Sequence, residues 1–322
     1  MGTREFEATL DGYRALLAWL RTFGTVVKIG VEGTGSYGAG LARYLAEAKV
    51  EVVEVDRPDR KARRRHGKSD PLDAISAALA TLSGRANGVP KARTGPVEAI
   101  RVLRLVRGGA VKARTAALNE LHSLVVTAPE PLRATLRHLT KTQRVAHCAT
   151  VVADPTRLAD PEHATATALA ALARRIQYLD LEIRQADRQL KELVTTTAPQ
   201  LCAIRGVGPE VAGQLLVTAG DNPERIRTEA DFAHLCGVAP IPASSGTRNR
   251  HRLNRGGDRH ANSALYLLVL SRLAHDPKTR AYRQRRTQQG KTTREIIRCL
   301  KRYAAREVLT ALRADFTALN RA

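Results

Sequence analysis

Three carboxylates beside a run of cations are the residues of this chain best suited to chemistry. Glu32 ends the apolar segment VVKIGVE, while Asp70 and Asp73 stand three residues apart in the segment GKSDPLDA. The basic segment RKARRRHGK, residues 60–68, lies between them. Carboxylates of this kind hold divalent ions that orient and polarise a phosphate, and neighbouring cations attract it. The pattern therefore predicts metal-dependent phosphodiester chemistry.

A serine in a basic loop offers a second kind of chemistry. The segment CGVAPIPASSG ends in Ser244, Ser245 and Gly246, and four arginines follow: Arg248, Arg250, Arg252 and Arg255. A serine hydroxyl can attack phosphorus while guanidinium groups stabilise the charge that develops on the phosphoryl oxygens. The alternative is a basic loop that only holds backbone phosphates.

A glycine turn is the third candidate. The segment IRGVGP precedes an apolar helical segment and has the form of the hairpin in helix-hairpin-helix DNA-binding modules. Gly206 and Gly208 would leave backbone N–H groups at a helix N-terminus, where a phosphate can bind without base contacts. An ordinary glycine turn between two helices is the alternative.

Composition points to a polyanionic partner. The 322-residue chain carries a formal net charge of +22, and its Lys and Arg recur in every segment. Such distributed charge favours nucleic acid over the alternative of a merely soluble basic surface. The four cysteines stand singly, so their spacing predicts neither a zinc site nor a disulfide framework. We find no membrane-spanning run or signal-peptide core, and we expect a cytoplasmic protein.

The elements that position these residues begin with a strand–helix–strand pattern. An amphipathic helix over 5–23 precedes a buried strand over 26–31, a helix over 38–48 and a strand over 51–55. This order with short links predicts a parallel pair of strands. A further helix is predicted over 70–83, with Ser69 or Asp70 as its N-cap.

The middle of the chain is predicted to be helical and basic. Residues 96–139 form a helical pattern that we expect to break or kink at Gly108–Gly109. Residues 165–195 carry apolar residues at alternating spacings of three and four, which is a heptad seam. That seam predicts either one helix of a hairpin within the chain or a dimerising coiled coil. Apolar-faced helices over 261–273 and 291–314 close the sequence.

Taken together, five segments resemble the bacterial insertion-sequence transposases that have a RuvC-like, DEDD-type N-terminal domain and a serine-bearing C-terminal domain. They occur in family order: GVEGTGSYG, EVVEVDRP, GKSDPLDA, IRGVGPEVA, and CGVAPIPASSG through NRGGDRHAN. The predicted fold class is therefore α/β plus mostly α. The domains would be a RuvC/RNase H-like domain over 1–95, a basic helical coiled-coil region over 96–198, and a helical C-terminal domain over 199–322.

The resemblance implies a role for each candidate residue. Glu32, Asp70 and Asp73 would be catalytic ligands of Mg²⁺, and Ser245, in preference to Ser244, would attack DNA to give a phosphoserine intermediate. DNA would be the partner, with a structured guide RNA in some relatives, and the chain would form a homo-oligomer through the 165–195 coiled coil. The residues that we expect to contact nucleic acid are Arg63, Arg64, Arg65, Lys68, Gly206, Gly208, Arg248, Arg250, Arg252 and Arg255.

In one respect the sequence departs from the family pattern. The family's first aspartate sits on an N-terminal strand, and no such strand precedes Glu5, while Asp11 lies in a helical pattern. We therefore expect an N-terminal domain without its first strands, through a misplaced start or a decayed copy, and weak or absent catalysis by this chain alone. The leading hypothesis is a transposase that cuts and rejoins its own element's ends. The alternatives are a non-catalytic nucleic-acid-binding remnant and a junction nuclease without the serine step.

Overall fold

The structure, a computed structural model, describes residues 2–55, 69–244 and 251–321. The chain divides into two compact units, one formed by Met1–Glu98 with Leu215–Ala322 and the other by Ala99–Gln214. Seven predicted site residues lie outside the described residues: Arg63, Arg64, Arg65, Lys68, Ser245, Arg248 and Arg250.

The N-terminal part of the first unit is a small α/β layer. Its two strands pair in parallel, from Lys28 opposite Glu51 to Glu32 opposite Val55, which confirms the predicted pair. Leu17, Val31, Leu45 and Val50 form its core, because alternate strand residues and one stripe of each helix are apolar. The elements are α1 (Leu10–Arg21), β1 (Lys28–Glu32), α2 (Ala39–Glu47), β2 (Glu51–Val55) and α3 (Asp70–Leu82).

Helix α3 packs on this pair of strands, and a glycine allows the close approach. Ser69 has the extended backbone of an N-cap, as predicted, and Pro71 follows in the first turn. A Cβ added at Gly30 would lie 2.1 Å from Thr81 Oγ1, 3.0 Å from Val55 Cγ2 and 3.1 Å from the Ala77 carbonyl oxygen. Gly30 is therefore the residue that lets α3 lie against β1.

The C-terminal part of the first unit is helical and carries a short two-stranded ribbon. Phe232, Leu265, Leu268 and Ile296 are fully buried and form its centre. Helix α13 spans this part and packs against α10, α11 and α12. The elements are α10 (Glu229–Leu235), β3 (Ile241–Pro242), β4 (His251–Arg252), α11 (Arg259–His275), α12 (Pro277–Gln288) and α13 (Thr293–Leu319).

Residues 88–97, here called the strap, join the two parts of the first unit. The strap contacts the segment 217–225 through polar groups on both sides. These hydrogen bonds are Lys91 Nζ to the Val217 carbonyl at 2.6 Å, Ala92 N to Asn222 Oδ1 at 3.0 Å, Asn222 Nδ2 to the Pro90 carbonyl at 2.8 Å, Arg225 Nε to the Val89 carbonyl at 3.1 Å, and Val97 N to Asp221 Oδ1 at 2.9 Å. Residues more than a hundred positions apart therefore form one compact unit.

The second unit is a bundle of helices around one apolar core. Its core residues come from four helices and include Leu121, Leu136, Val145, Leu169 and Ile176. The helices that contribute to this unit are α4 (Pro96–Thr127), α5 (Glu130–Leu136), α6 (Lys141–Ala149), α7 (Pro161–Thr197), α8 (Pro199–Ala203) and α9 (Pro209–Ala219). Across the described ranges, no helix of either unit is both long and apolar enough to cross a membrane.

The heptad seam of α7 is used within the chain. Leu169, Leu172 and Ile176 are buried against residues of α4, α5 and α6. Further along, ion pairs at 2.5 Å join Arg107 to Asp187 and Arg114 to Asp180, so α4 lies along α7. The hairpin alternative therefore describes the seam better than the dimerising coiled coil.

The predicted break at Gly108–Gly109 is wrong. Helix α4 continues through both glycines from Pro96 to Thr127. A glycine costs a helix about 1 kcal/mol relative to alanine, which the packing and ion pairs of the long flanking turns outweigh.

Two glycine substitutions should have opposite effects on stability. Gly30→Ala should lower the free energy of unfolding by about 1–3 kcal/mol, because its Cβ overlaps Thr81 and Val55. Gly108→Ala is the control: a Cβ there has nothing within 4 Å, and we expect a gain of about 0.5–1 kcal/mol. Urea unfolding measures both. Equal effects of the two substitutions would contradict the packing of α3 on β1.

Candidate functional site

The three candidate carboxylates lie at the ends of elements that pack together. Glu32 is the exposed last residue of β1, whereas Asp70 and Asp73 occupy the first turn of α3. Gly30 and Glu32 face the same side of the sheet, the side that α3 covers, because alternate strand residues share a face. Acidic residues also stabilise a helix N-terminus, so Asp70 and Asp73 have a local structural use as well.

The three carboxylates offer the donor atoms of a metal site. Oxygen ligands of this kind suit a hard divalent ion such as Mg²⁺. Within residues 2–55, 69–244 and 251–321, however, no three His, Cys, Asp or Glu side chains lie close enough together to hold a metal ion. The described carboxylates therefore do not form a complete metal site, and the metal remains a prediction.

The segment after Glu32 forms a tight turn that fixes the end of β1. Gly33 has a positive φ of 66°, and its carbonyl accepts hydrogen bonds from the backbone N–H groups of Ser36 and Gly38. The buried Thr34 hydroxyl donates to Glu54 Oε1 on β2 at 2.5 Å. The sequence motif GTGSYG thus has a structural reason, and the bond from Thr34 to Glu54 is one that sequence reasoning missed.

The serine segment is flanked by the β3–β4 ribbon. Ile241 pairs with Arg252 and Pro242 with His251 in antiparallel register. Ser244 and Arg252 are exposed, and so is Arg255 beyond β4. The ribbon therefore brings both flanks of the predicted nucleophile to the surface of the first unit, while Ser245 itself is outside the described residues.

The base of the ribbon is held by close backbone contacts at two glycines. Gly237 and Gly257 have positive φ angles of 63° and 80°. A Cβ at Gly257 would lie 2.5 Å from the His234 carbonyl oxygen and 2.7 Å from Gly237 N, so only glycine fits there. The segment NRGGDRHAN therefore packs directly on the segment CGVAP.

Asp258 fastens the same region to two helices. Its Oδ1 accepts from the backbone N–H groups of His260 at 2.8 Å and Ala261 at 3.2 Å, which caps α11. Its Oδ2 accepts from the Thr218 hydroxyl of α9 at 2.7 Å. Its backbone N–H donates to the Leu235 carbonyl at 2.7 Å.

A buried lysine completes this anchor. Asn262 Nδ2 donates to the carbonyls of Gly237 at 2.8 Å and Cys236 at 3.2 Å, while its Oδ1 accepts from Lys301 Nζ at 2.7 Å. Lys301 is only 6% exposed, and burial lowers the pKa of its ammonium group. We call Gly237, Asn262 and Lys301 the ribbon anchor. The motif NRGGDRHAN predicts no role for Asn262, and no local pattern in the sequence marks Lys301.

The glycine turn has the predicted form, but its helix N-terminus already carries an anion. Gly206, with a φ of 88°, lies between α8 and α9, and α9 begins at Pro209 just after Gly208. Glu210 sits in the first turn, where its carboxylate accepts from Arg104 at 2.9 Å. The Glu210 carboxylate thus occupies the position near the helix N-terminus where the dipole would favour a phosphate. Phosphate binding at Gly206 and Gly208 remains a prediction.

Comparison with known proteins identifies the class. Residues 198–284 match the sequence profile of the transposase IS116/IS110/IS902 family, and residues 1–128 match a transposase profile of the DEDD type from the IS110 group. The two profiles together cover more than half of the chain, and the quoted segments lie within them. The class is therefore that of insertion-sequence transposases. More narrowly, the chain belongs to the IS110 family.

The chain is similar to two proteins named after insertion elements and to one named as a probable transposase. The chain is 26% identical to an IS900 uncharacterized 42 kDa protein of Mycobacterium paratuberculosis over 282 residues. This match covers 80% of this chain and 70% of the relative. A probable family 20 transposase of Pseudomonas aeruginosa is 30% identical over 208 residues. This match covers 62% of this chain and 58% of the relative. An IS110 uncharacterized 43.6 kDa protein of Streptomyces coelicolor is 32% identical over 151 residues, covering 46% and 36%. The chain thus spans about a third of the last relative's length.

A double-mutant cycle should reveal the ribbon anchor. Asn262→Leu should lower the free energy of unfolding by about 2–4 kcal/mol, since it leaves a buried ammonium and two carbonyls without their partner. Adding Lys301→Met should recover part of that loss, because the unpaired charge is removed. Urea unfolding of the four proteins gives the coupling energy, with Ser263→Ala, on the exposed side of α11, as control. Strictly additive effects would refute the pairing.

Stability should depend on pH through Lys91 of the strap. Burial, with Arg225 next in size, lowers the pKa of Lys91 to about 8; Asp258 and Glu54 oppose the shift and Arg93 adds to it. The unfolded chain therefore binds more protons between pH 8 and the ordinary pKa of 10.5, and the contribution of Lys91 to stability rises with pH across that window.

The matching test compares the protein with Lys91→Met. From pH 8 to pH 10, the unmutated protein should gain about 2 kcal/mol relative to the variant. Lys278→Met, at an exposed position, should show no such difference from the unmutated protein. A parallel pH dependence of the unmutated protein and Lys91→Met would show that Lys91 keeps its ordinary pKa.

Proposed function

We propose that this chain is a DNA transposase that cuts and rejoins the ends of its own insertion sequence, with Ser245 as nucleophile. The observation that carries the proposal is the ordered set of five segments, which falls within two transposase profiles of one family. The relatives in Mycobacterium, Pseudomonas and Streptomyces are themselves named as insertion-element or transposase proteins.

The described residues support this function at both candidate places. Glu32 and the acidic first turn of α3 adjoin one face of the parallel strands. The β3–β4 ribbon, held by the ribbon anchor, presents exposed Arg252 next to the serine segment. A rigid base under an exposed, cationic loop suits a nucleophile that must meet a bulky phosphodiester.

In the proposed reaction, Ser245 Oγ attacks a DNA phosphorus atom. The Oγ–P bond forms as the bond from phosphorus to the leaving sugar oxygen breaks; the serine gives up its proton and the leaving oxygen takes one up. A sugar hydroxyl of the new partner strand then attacks the phosphoserine, and the serine recovers its proton. Guanidinium groups, with Arg252 the nearest described one along the chain, would stabilise the charge on the phosphoryl oxygens.

A divalent metal also belongs to the proposal. The DEDD designation implies such an ion, Mg²⁺ is our hypothesis for it, and Glu32, Asp70 and Asp73 are the residues that we assign to it. When bound, it would polarise the scissile phosphate. The serine steps are balanced without it.

Covalent trapping tests the nucleophile. The protein is incubated with Mg²⁺ and labelled DNA that carries the element junction, and a denaturing gel separates any protein–DNA adduct. Because we expect weak catalysis by this chain alone, the adduct should form at most in low yield; it should disappear in Ser245→Ala and persist in Ser244→Ala. Loss in Ser244→Ala alone would move the nucleophile by one residue.

The acidic residues have a matched control on the same sheet. Glu32→Gln should reduce adduct formation by about 100-fold or more, as the loss of a group that stabilises the transition state does. Glu51→Gln, at the exposed start of β2, should leave adduct formation unchanged. Equal effects of the two substitutions would remove Glu32 from the site.

The same assay tests the binding-only alternative. That alternative predicts DNA binding by the unmutated protein with no adduct under any condition. If the adduct is digested with a protease and the peptide that remains attached to DNA contains Ser245, the binding-only alternative is excluded.

A further inference from the structure

Helix α12 and the start of α13 carry many more cations than carboxylates. Residues 277–299 contain eight Lys and Arg and a single carboxylate, Glu295. Most of these cations are exposed, and the rest are partly exposed. We call this set the basic face: Lys278, Arg280, Arg283, Arg285, Arg286, Lys291, Arg294 and Arg298.

The single carboxylate is already engaged. Glu295 Oε2 accepts from the backbone N–H of Thr292 at 2.9 Å and from its hydroxyl at 2.8 Å, which completes the capping box of α13. These hydrogen bonds lower the pKa of Glu295. Glu295 therefore serves the helix terminus, and among the described residues it forms no ion pair with a cation of the basic face.

The contrast with neighbouring arginines indicates that this excess is local. Further along α13, Arg302 and Arg306 both pair with Glu229, and on α11 Arg272 pairs with Glu307 at 2.6 Å. Among the described residues, none of the eight cations of the basic face forms an ion pair. In this unit, carboxylates balance the charge of arginines where helices pack, whereas the described arginines of α12 have no carboxylate partner in an ion pair.

Aromatic rings hold part of the basic face in place. The guanidinium carbons of Arg285 and Arg286 lie 5.4 Å and 5.9 Å from the centre of the Tyr282 ring. Tyr282 in turn meets Tyr303 of α13 edge to face, with ring centres 5.9 Å apart. Cation–π contacts of this kind restrict side-chain motion, so less entropy is lost when these groups bind an anion.

The shape of the surface also fits a chain of phosphates. A concavity of about 710 Å³ adjoins the α12–α13 turn and is lined by Lys291, Arg294 and Arg298 among others. Arg280, Arg283 and Arg286 recur every three residues along α12, so they follow one side of the helix. A helix of twelve residues extends over about 18 Å, which is long enough to meet several phosphates of one strand.

We propose that the basic face binds the phosphodiester backbone of nucleic acid. It is separate from the residues already assigned to DNA contact, and it rests on the proposed function only for the expectation that the chain handles nucleic acid at all. Backbone contacts carry no sequence information, so this surface would position DNA or RNA while other residues select the sequence.

The test is a triple substitution, Arg280→Gln, Arg283→Gln and Arg294→Gln, at three exposed residues. The matched control, Arg184→Gln, Arg188→Gln and Lys191→Gln, removes the same charge from exposed positions of α7 in the second unit. Circular dichroism and urea unfolding check that both variants fold. Fluorescence anisotropy then measures binding to a DNA duplex of about 20 base pairs, two helical turns, and to an RNA hairpin of similar length, across a salt series.

We expect the test variant to bind at least about 10-fold more weakly at 0.1 M salt, with a slope of log K against log salt that is smaller by about 2–3. A loss on duplex DNA assigns the surface to DNA, and a loss confined to the hairpin assigns it to RNA. Equal losses in the control variant would mean that only net charge matters and would overturn the proposal, as would unchanged binding by the test variant.

Binding and chemistry are separated by a further arm. Ser245→Ala, which forms no adduct under the proposed function, should bind both probes as tightly as the unmutated protein. If the adduct is never found while the test variant still loses affinity, the proposed chemistry fails and the basic face stands. If the adduct forms while binding by the test variant is unchanged, the basic face fails and the chemistry stands.

Discussion

The strap's hydrogen bonds to segment 217–225 are the contacts on which the first unit depends. Lys91 Nζ meets the Val217 carbonyl at 2.6 Å, and Asp221 accepts from the first residues of α4, including Val97 N at 2.9 Å. Burial raises the pKa of the Asp221 carboxyl, and its hydrogen bonds from backbone N–H groups oppose that shift. Because both sides contribute polar groups that would be costly to leave unpaired, the N-terminal α/β layer and the C-terminal helices hold together as one unit.

Through the strap, the part of the first unit that carries the candidate carboxylates is joined to the part that carries the serine segment. Glu32 and the first turn of α3 lie in the α/β layer, while the serine segment extends from the ribbon in the helical part, and the strap joins the two parts. The ribbon is fixed at its base by the two glycines with positive φ and by Asn262, whose amide satisfies two carbonyls and a buried ammonium at once. Scaffold residues of this type limit the motion of a loop without touching its substrate.

Charge has different roles in different parts of the molecule. In the second unit, Arg107 and Arg114 pair with carboxylates of α7 and so stabilise the packing of α4 along it. On α12 most arginines are exposed, Arg285 and Arg286 lie over the Tyr282 ring, and none of them forms an ion pair among the described residues. The net charge of +22 therefore sums over arginines that pair with carboxylates where helices pack and arginines that are exposed on the surface.

The sequence by itself determined the local features of this protein. Short apolar runs predicted β1 and β2, an N-cap followed by proline predicted α3, and apolar spacings of three and four predicted α7. The order strand–helix–strand predicted the parallel pair, and the ordered motifs predicted the transposase family. The predictions of local elements succeed because backbone periodicity and turn chemistry act over a few neighbouring residues. The break expected at Gly108 failed because long-range packing outweighed a helix penalty of about 1 kcal/mol.

Only the tertiary structure decided which distant groups meet. Lys301 reaches Asn262 across 39 positions, Lys91 reaches Val217 across 126, and the seam of α7 is covered by helices of its own chain. Nothing in the local sequence marks these partners, because a side chain's hydrogen-bond partner depends on how the chain folds back and not on its neighbours. The same holds for the arginines: their number is written in the sequence, but whether each meets a carboxylate or solvent is settled by the packing of helices.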